Sequence, residues 1–150
     1  MLKKISLLLL FCFCFSCGYE PLYLKKDKLD RPIKILNLEG DQKINKIIIS
    51  SLGLKETEGI KVGYTLTLDS KKEVEVISKD KNGNPSVYRS SVVINFLLSE
   101  NKKIIKQKRF NSSFTYNNSE NKFDLSQYQK NIEKNQINEL SEKIFLFLKF

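Results

Sequence analysis

The sequence contains no histidine among its 150 residues, and this absence restricts the chemistry open to the protein. Catalytic triads and Cys-His nucleophiles use an imidazole as general base, and histidine is also the commonest zinc ligand. Only carboxylate chemistry or a nucleophile activated by lysine would remain, and no closely spaced carboxylate pair stands out. We therefore expect a protein that is not an enzyme and has no cofactor and no metal site. A carboxylate enzyme on a tether is the remaining catalytic alternative.

The sequence also lacks an apolar stretch long enough to cross a bilayer, which takes roughly 20 residues. The N-terminal run Ile5–Phe15 is too short, and the apolar C-terminal residues 144–150 are shorter still and are spaced for burial against a sheet. Lys3 and Lys4 precede the N-terminal run and Ser16 follows it, which is the pattern of a secretory signal.

Cysteine is scarce and is confined to the first 17 residues, at Cys12, Cys14 and Cys17. Cys17 follows the small residue Ser16 and resembles the modified cysteine of a bacterial lipoprotein signal. In such signals the thiol receives diacylglycerol, the chain is cut before the cysteine, and the new amine is acylated. Cys12 and Cys14 each follow a phenylalanine, and Cys14 occupies the position where leucine is usual. The alternative is a plain secretory signal cut near Ser16, which would leave a free cysteine.

This pattern divides the chain into a lipoprotein signal peptide (1–16), a lipidated tether (17–31) and a single domain (32–150). After cleavage no second cysteine remains, so disulfide bonds cannot stabilise the domain. Residues 18–31 are polar and basic, as in a tether. The alternative is a segment that packs on the domain through Tyr19, Leu22, Tyr23 and Leu24.

The formal net charge of +9 suggests a partner that carries phosphate groups. A biased composition is the alternative, because lysine, isoleucine and asparagine are abundant while arginine occurs only at Arg31, Arg89 and Arg109. Nucleic acid is not expected as a partner for an exported chain that is tethered to a membrane.

Hydrophobic periodicity predicts four strands and two helices. A short strand over 33–38, with Ile33, Ile35 and Asn37 on one face, precedes a helix that Asp41 caps and Gly53 ends. Three longer strands follow over 61–76, 87–98 and 104–116, the first interrupted at 69–72 by a bulge or tight turn and the last with Ile104, Phe110, Phe114 and Tyr116 on one face. Short loops at 82–85 and 99–102 favour antiparallel pairing.

A second helix is predicted to run to the end of the chain. Asp124 would cap it and Phe123 would pack on Tyr128 as a hydrophobic staple. Its apolar stripe comprises Ile137, Leu140, Ile144, Phe147 and Leu148. The fold class is therefore α+β, a two-layer sandwich with two helices packed on one face of a roughly four-stranded mixed sheet. The other face has mixed polarity and is the more interesting surface.

The segment Cys17-Gly-Tyr-Glu-Pro-Leu-Tyr23 resembles the start of mature members of the LPS-assembly lipoprotein (LptE-like) family, alphaproteobacterial type. The hairpin that begins with Ser86–Leu98 and continues through Ser-Glu-Asn-Lys into a second strand fits the same family, as does the long C-terminal helix. The likeness covers nearly the whole chain, although only the Cys17–Tyr23 segment approaches a signature.

The resemblance implies a lipoprotein anchored in the outer membrane on its periplasmic face, with Gly18 consistent with delivery there. It implies a plug inside a large β-barrel LPS-assembly protein, support for assembly of that barrel, and passage of lipopolysaccharide to the cell surface. Direct binding of lipopolysaccharide is left open. The phosphates of lipid A would be attracted to cations near one hairpin. The candidates are Arg89, Lys102, Lys103, Lys106, Lys108 and Arg109. Taken singly, such residues are more often solvated or edge-protecting surface charges, so it is their grouping around one hairpin that suggests a site.

A second hypothesis is an accessory lipid-binding lipoprotein of an ABC-type envelope lipid transporter. Such a protein would need an apolar cavity between its helices and its sheet, which a sequence cannot reveal. The two hypotheses predict different partners, a large outer-membrane barrel in the first and an ATPase complex in the second.

The lipidation site can be tested directly. Cys17→Ala should abolish incorporation of labelled fatty acid, because it removes the thiol that accepts diacylglycerol. Cys14→Ala is the matched control and should leave incorporation unchanged. Labelling that persists in Cys17→Ala would show that Cys17 is not the acylated residue.

Overall fold

A computed structural model describes residues 32–149 as a four-stranded sheet covered on one face by two helices. In chain order the elements are β1 (Ile33–Gly40), α1 (Gln42–Leu52), β2 (Tyr64–Lys79), β3 (Pro85–Glu100), β4 (Lys103–Asn117) and α2 (Lys122–Lys149). The strands lie side by side in the order β1-β2-β3-β4, with β1 parallel to β2 and the other pairs antiparallel. The predicted α+β sandwich with a mixed sheet is confirmed. The predicted signal peptide, Cys17 and the tether lie outside the described residues.

The junction between β1 and α1 is built on one glycine and the helix cap that follows it. Gly40 has a φ of +72°, and a Cβ at this position would lie 2.0 Å from the carbonyl oxygen of Ser70. The backbone of Asp41 donates to that same oxygen at 2.8 Å, and the Ser70 hydroxyl donates back to the Asp41 carbonyl at 3.0 Å. The Asp41 carboxylate accepts from the N–H groups of Lys43 and Ile44, as the predicted cap requires.

The far end of α1 also matches its prediction. Gly53 adopts a left-handed conformation with a φ of 64°, and its N–H bonds to the carbonyls of Ile49 and Ser50. Ile44, Ile48 and Leu52 are buried along one side of the helix. The caps at both ends of α1 are therefore encoded locally in the sequence.

The predicted interruption of β2 at 69–72 is wrong, because the strand continues without a break from Tyr64 to Lys79. Ser70 and Lys72 occupy positions on the helix-covered face where the alternation calls for apolar residues. Each finds a polar partner there: Ser70 bonds to Asp41, and Lys72 forms an ion pair with Glu133 of α2. These partners lie 29 and 61 residues away in the chain, beyond the reach of a local pattern.

Glu133 joins both helices to the sheet. Besides Lys72, its carboxylate accepts from Lys43 Nζ of α1 at 2.9 Å. Partial burial alone would raise the pKa of Glu133, but the hydrogen bonds and charges of the two lysines outweigh that effect and hold the pKa below its ordinary value. The contribution of this ion pair to stability is therefore complete near neutral pH and is lost as the pH falls through the lowered pKa.

The predicted facing of β1 is only partly right. Ile33 is buried, but a register shift between Ile33 and Ile35 reverses the alternation. Leu36 and Leu38 consequently pack on the core, while Ile35 is 40% exposed.

Facing is also only partly right on β4. Phe110 and Tyr116 are buried, and Phe114 shares their face, opposite the buried Ser90, although it is 45% exposed. Ile104 is the exception: it is 55% exposed and pairs with Ser99, which places it on the other face. A register shift in the β3–β4 pairing lies beside Ile104, between Leu98 and Ser99.

Helix α2 begins earlier than predicted. Its cap is Asn121, whose side-chain oxygen accepts from the N–H groups of Phe123 and Asp124, so the assignment of Asp124 as cap is wrong. Phe123 therefore falls inside the first turn and is 70% exposed. Instead of forming the predicted staple with Phe123, Tyr128 packs edge-on against Tyr116, with the ring centroids 6.1 Å apart.

The core lies between the helices and one face of the sheet. Helix α1 packs on β1, β2 and α2, and α2 packs on β3 and β4. The predicted stripe of α2 is confirmed, with three residues fully buried and Phe147 and Leu148 partly buried against them. Large apolar side chains that are less than 2% exposed fill the interface. Burial of each one stabilises the folded domain by about 1.5–3 kcal/mol. They are Phe96, Ile44, Ile48, Leu66, Leu68, Ile94, Ile137, Leu140, Ile144 and Val92.

Within residues 32–149 no helix combines the length and apolarity needed to cross a membrane.

The close approach at Gly40 can be measured. Gly40→Ala should lower the free energy of unfolding by roughly 3 kcal/mol, because it adds a clash with Ser70 to an unfavourable backbone conformation. Gly83→Ala is the matched control: its φ is also positive, at +82°, but nothing lies within 4 Å of the added methyl group. Its loss should be about 1 kcal/mol. Equal losses in urea denaturation would show that the contact with Ser70 is not what restricts Gly40.

Candidate functional site

The candidate site lies on the side of the sheet that the two helices do not cover. Val92, Ile94 and Phe96 of β3 point into the core, so the residues between them point to the opposite face. Register extends this face onto β4, where Arg109 lies opposite Asn95 and Thr115 lies opposite Arg89. No described helix packs on this face.

A shallow polar trough runs across β3 and β4 on this uncovered face. It is open to solvent, has a volume of about 660 Å³, and has Arg89 near one end and Arg109 near the other. The two arginines are six positions apart in the register, which corresponds to about 20 Å along the strands. The rest of the lining consists of Ser91, Val93, Asn111, Ser112, Ser113 and Thr115.

The two guanidinium groups of the trough are available for a ligand. Within residues 32–149 neither Arg89 nor Arg109 has a hydrogen-bond or ion-pair partner, although Glu75 lies opposite Arg89 on β2. A guanidinium presents a planar set of donors that matches phosphate or carboxylate oxygens in pairs. The hydroxyl and amide groups between them add neutral donors and acceptors. The trough can therefore bind an elongated ligand with two anionic groups and a polar middle.

The structure places Lys106 and Lys108 on the opposite face from the arginines. Lys106 Nζ donates to the carbonyl oxygens of Phe147 at 2.9 Å and Leu148 at 3.4 Å, in the last turn of α2. It also lies 5.3 Å from the centre of the Phe147 ring, and Lys108 Nζ lies 5.4 Å from the rings of Phe110 and Phe147. These two cations stabilise the negative end of the helix dipole and an aromatic cluster.

The remaining two candidates, Lys102 and Lys103, lie at the turn between β3 and β4. Asn101 and Lys102 both have positive φ, at 48° and 67°, as in a two-residue turn of type I′. Lys103 starts β4 opposite Glu100 and, like Lys102, is exposed. The six predicted cations thus separate into a pair in the trough, a pair under the helix end and a pair at the turn, and do not form one cluster. Their role in binding stays a prediction.

Sequence reasoning marked this face as mixed but did not single out the polar lining of the trough. The signal was present, because the odd-numbered positions within 89–95 and 109–117 carry Arg, Ser, Asn and Thr, with Val93 as the exception, where an ordinary solvent face carries Lys and Glu.

It also missed a buried polar link beneath α2. Gln136, only 3% exposed, bonds to the Ser90 hydroxyl at 2.9 Å and to the carbonyls of Ser90 and Ser112 at 3.0 and 3.1 Å. Ser90, the exception in an otherwise apolar alternation, was the clue to this link.

The carboxylates on the helix side do not suggest catalysis. Hydrogen bonds from Lys143 and Ser112 hold the pKa of Glu139 below its ordinary value, and the pKa of Glu133 is also lowered. A general acid needs the opposite shift. Within residues 32–149 no three Cys, Asp or Glu side chains are placed to hold a metal ion.

Solved structures share this fold at low sequence identity. Rare lipoprotein B from Shewanella oneidensis superposes with a TM-score of 0.59 at 13% identity, covering 76% of this chain and 92% of that one. A minor lipoprotein from Acinetobacter baumannii gives 0.55 at 12% identity, covering 78% and 92%. Lipoprotein B from Nitrosomonas europaea gives 0.55 at 8% identity, covering 77% and 81%. At these identities the likeness shows a common fold. Neither a scan against protein-family models nor a search of curated proteins found a match.

Lys106 and Lys102 lie in different surroundings, so we expect their substitution to have different effects on stability. Lys106→Met should lower the free energy of unfolding by about 1–2 kcal/mol, because the Phe147 and Leu148 carbonyls lose a charged donor. Lys102→Met should change it by less than about 0.5 kcal/mol, since that side chain is exposed at a turn. Equal effects in thermal unfolding would contradict a capping role for Lys106.

Proposed function

We propose that this chain is an outer-membrane lipoprotein, anchored through acylated Cys17 on the periplasmic face, that plugs a β-barrel partner and supports its assembly in lipopolysaccharide transport. The observation that carries the proposal is the shared fold with three lipoproteins over about three quarters of the chain. Independently, Cys17 and the segment up to Tyr23 resemble the start of mature LPS-assembly lipoproteins of the alphaproteobacterial type.

The uncovered face of the sheet suits contact with a large partner or with lipopolysaccharide. It is broad, because β3 and β4 pair along almost their whole length, and it is polar rather than apolar. The interior of a membrane β-barrel is also polar, whereas its outer surface is apolar. Arg89 and Arg109 would bind the phosphates of lipid A at the two ends of the trough.

The alternative, an accessory protein of an ABC-type lipid transporter, requires space for a lipid between the helices and the sheet. In residues 32–149 that region is occupied by interlocking side chains, among them Phe96, Ile94 and Leu140, which are at most 1% exposed. The filled interface favours the barrel partner.

Recovery of the partner tests the proposal. Crosslinking in intact cells followed by mild detergent extraction should recover a large outer-membrane β-barrel with the lipoprotein. The Cys17→Ala variant should recover less of it, because the unanchored chain is no longer concentrated at that membrane. Recovery of an ATPase complex instead would support the alternative and overturn the proposal.

Direct lipopolysaccharide binding is tested with the mature lipoprotein purified in detergent. Arg89→Gln with Arg109→Gln should weaken binding at least tenfold if two charge-assisted contacts are lost. Lys130→Gln with Lys134→Gln removes the same charge from the exposed side of α2 and should leave binding unchanged. Equal affinities for the two double variants would remove the trough from the binding site without affecting the case for a barrel partner.

A further inference from the structure

The sheet has two edges, and the chain itself satisfies only one of them. At β1, Thr57 N donates to the Ile33 carbonyl at 2.8 Å, and the side chain of Gln42 donates to the Leu38 carbonyl at 2.8 Å. At the other edge, β4 has no neighbouring strand on its outer side within residues 32–149. An edge strand that is left in this state presents a row of unpaired N–H and C=O groups to other chains.

The backbone groups of β4 alternate between β3 and this free edge. Asn118 N donates to the Ser86 carbonyl at 2.8 Å, so these two residues form a hydrogen-bonded pair. The register continues without a shift from there to the pair of Leu98 with Lys106, and hydrogen-bonded pairs alternate with non-bonded ones in an antiparallel ladder. The even-numbered residues of this stretch therefore bond to β3, and the odd-numbered ones direct their N–H and C=O groups outward. In the second half of β4 the outward residues are Asn111, Ser113, Thr115 and Asn117.

The second half of β4, residues 110–117, lacks the features that keep an edge strand from pairing, and we call it the open edge. Its sequence, Phe-Asn-Ser-Ser-Phe-Thr-Tyr-Asn, contains no charged residue and no proline, and its pairing with β3 has no bulge. Charges, prolines and bulges are the usual protection of an edge. The first half of β4 has such protection, in the form of Lys103, Lys106, Lys108 and Arg109. The open edge is therefore the part of the strand that is available for pairing.

An extended polypeptide matches the outward groups of the open edge. Each of the four outward residues presents one donor and one acceptor, and they recur about every 7 Å over roughly 20 Å. A peptide that joins a sheet as an additional strand is held by main-chain hydrogen bonds of this kind. Its side chains would also cover Phe114, which is 45% exposed although it lies on the helix side of the sheet.

Charge and barrel geometry narrow the choice of that polypeptide. β4 contains no acidic residue, so a second copy of this strand would bring no carboxylate to Arg109, which precedes the open edge. The wall strands of a closed barrel pair with one another and have no free edge. Barrel loops, in contrast, are free of the wall and can plug the lumen.

We infer that the open edge of β4 pairs with a loop of the β-barrel partner, which joins the sheet as a fifth strand and brings a carboxylate to Arg109. The inference rests on the proposed function and identifies the part of the domain that holds plug and barrel together. The added strand lies beside the trough, because Asn111, Ser113 and Thr115 also line it.

Amide hydrogen exchange, measured residue by residue, tests the pairing in the unaltered chain. In the isolated mature lipoprotein the even-numbered amides of the open edge should exchange slowly, and those of Asn111, Ser113 and Thr115 should exchange fast. In the purified complex with the barrel these three amides should slow by at least about tenfold. Unchanged exchange of the three in that complex would overturn the inference and leave the proposed function standing. Slow exchange in the isolated protein together with a dimeric mass would show self-pairing and would also overturn it.

Ser113 allows the backbone contribution to be separated from that of the side chain. Ser113→Pro removes an outward N–H and no bond to β3, so the variant should fold, but recovery of the barrel by crosslinking in cells should fall roughly tenfold. Ser113→Ala keeps the N–H and should recover as much barrel as the unaltered chain.

Equal recovery by all three proteins, or equal loss in both variants, would overturn pairing through the backbone. If the unaltered chain recovers no barrel, the proposed function fails together with the inference. Thermal unfolding checks that Ser113→Pro is folded, and should it not be, the exchange measurement decides alone.

Discussion

The contact between Gly40 and Ser70 determines how the rest of the domain is arranged. It ends β1, places Asp41 where it can cap α1, and fixes the parallel register of β1 against β2. Because β1 stops at this point, α1 turns back over β1 and β2 and leaves β3 and β4 to be covered by α2. The two helices then share one face of the sheet, and the opposite face of β3 and β4 is left open for the trough.

The regular elements were predictable because their signals are local. The alternation of β3 and the caps of α1 each depend on residues within a few positions of one another. The prediction for β2 failed at Ser70 and Lys72 because the groups that satisfy them lie on α1 and α2. The start of α2 was misplaced because Asn121 and Asp124 are both good caps and only the structure shows which accepts the free N–H groups.

The candidate site was predictable only in part, for a related reason. Arg89 and Arg109, two of the predicted cations, lie exposed on one face of the sheet, and their role in binding stays a prediction. Lys106 was grouped with them because it is close in sequence, although alternation along β4 already placed it on the other side. What it does there depends on carbonyls 41 residues away, which no local pattern reveals. The same residue that weakens the case for one basic cluster explains why the end of α2 stays beside the β3–β4 turn.

The parallel pairing of β1 with β2 would have a mechanical consequence if the domain is held by the N-terminal tether that we propose. A force that draws Pro32 away from the sheet acts along the axis of β1, so the hydrogen bonds from Ile33 to Gly40 are loaded together in shear. A force at right angles to the strand would instead break these hydrogen bonds one after another. With the proposed anchor, β1 would therefore bear the load, and the tension would pass to β2, an inner strand of the sheet.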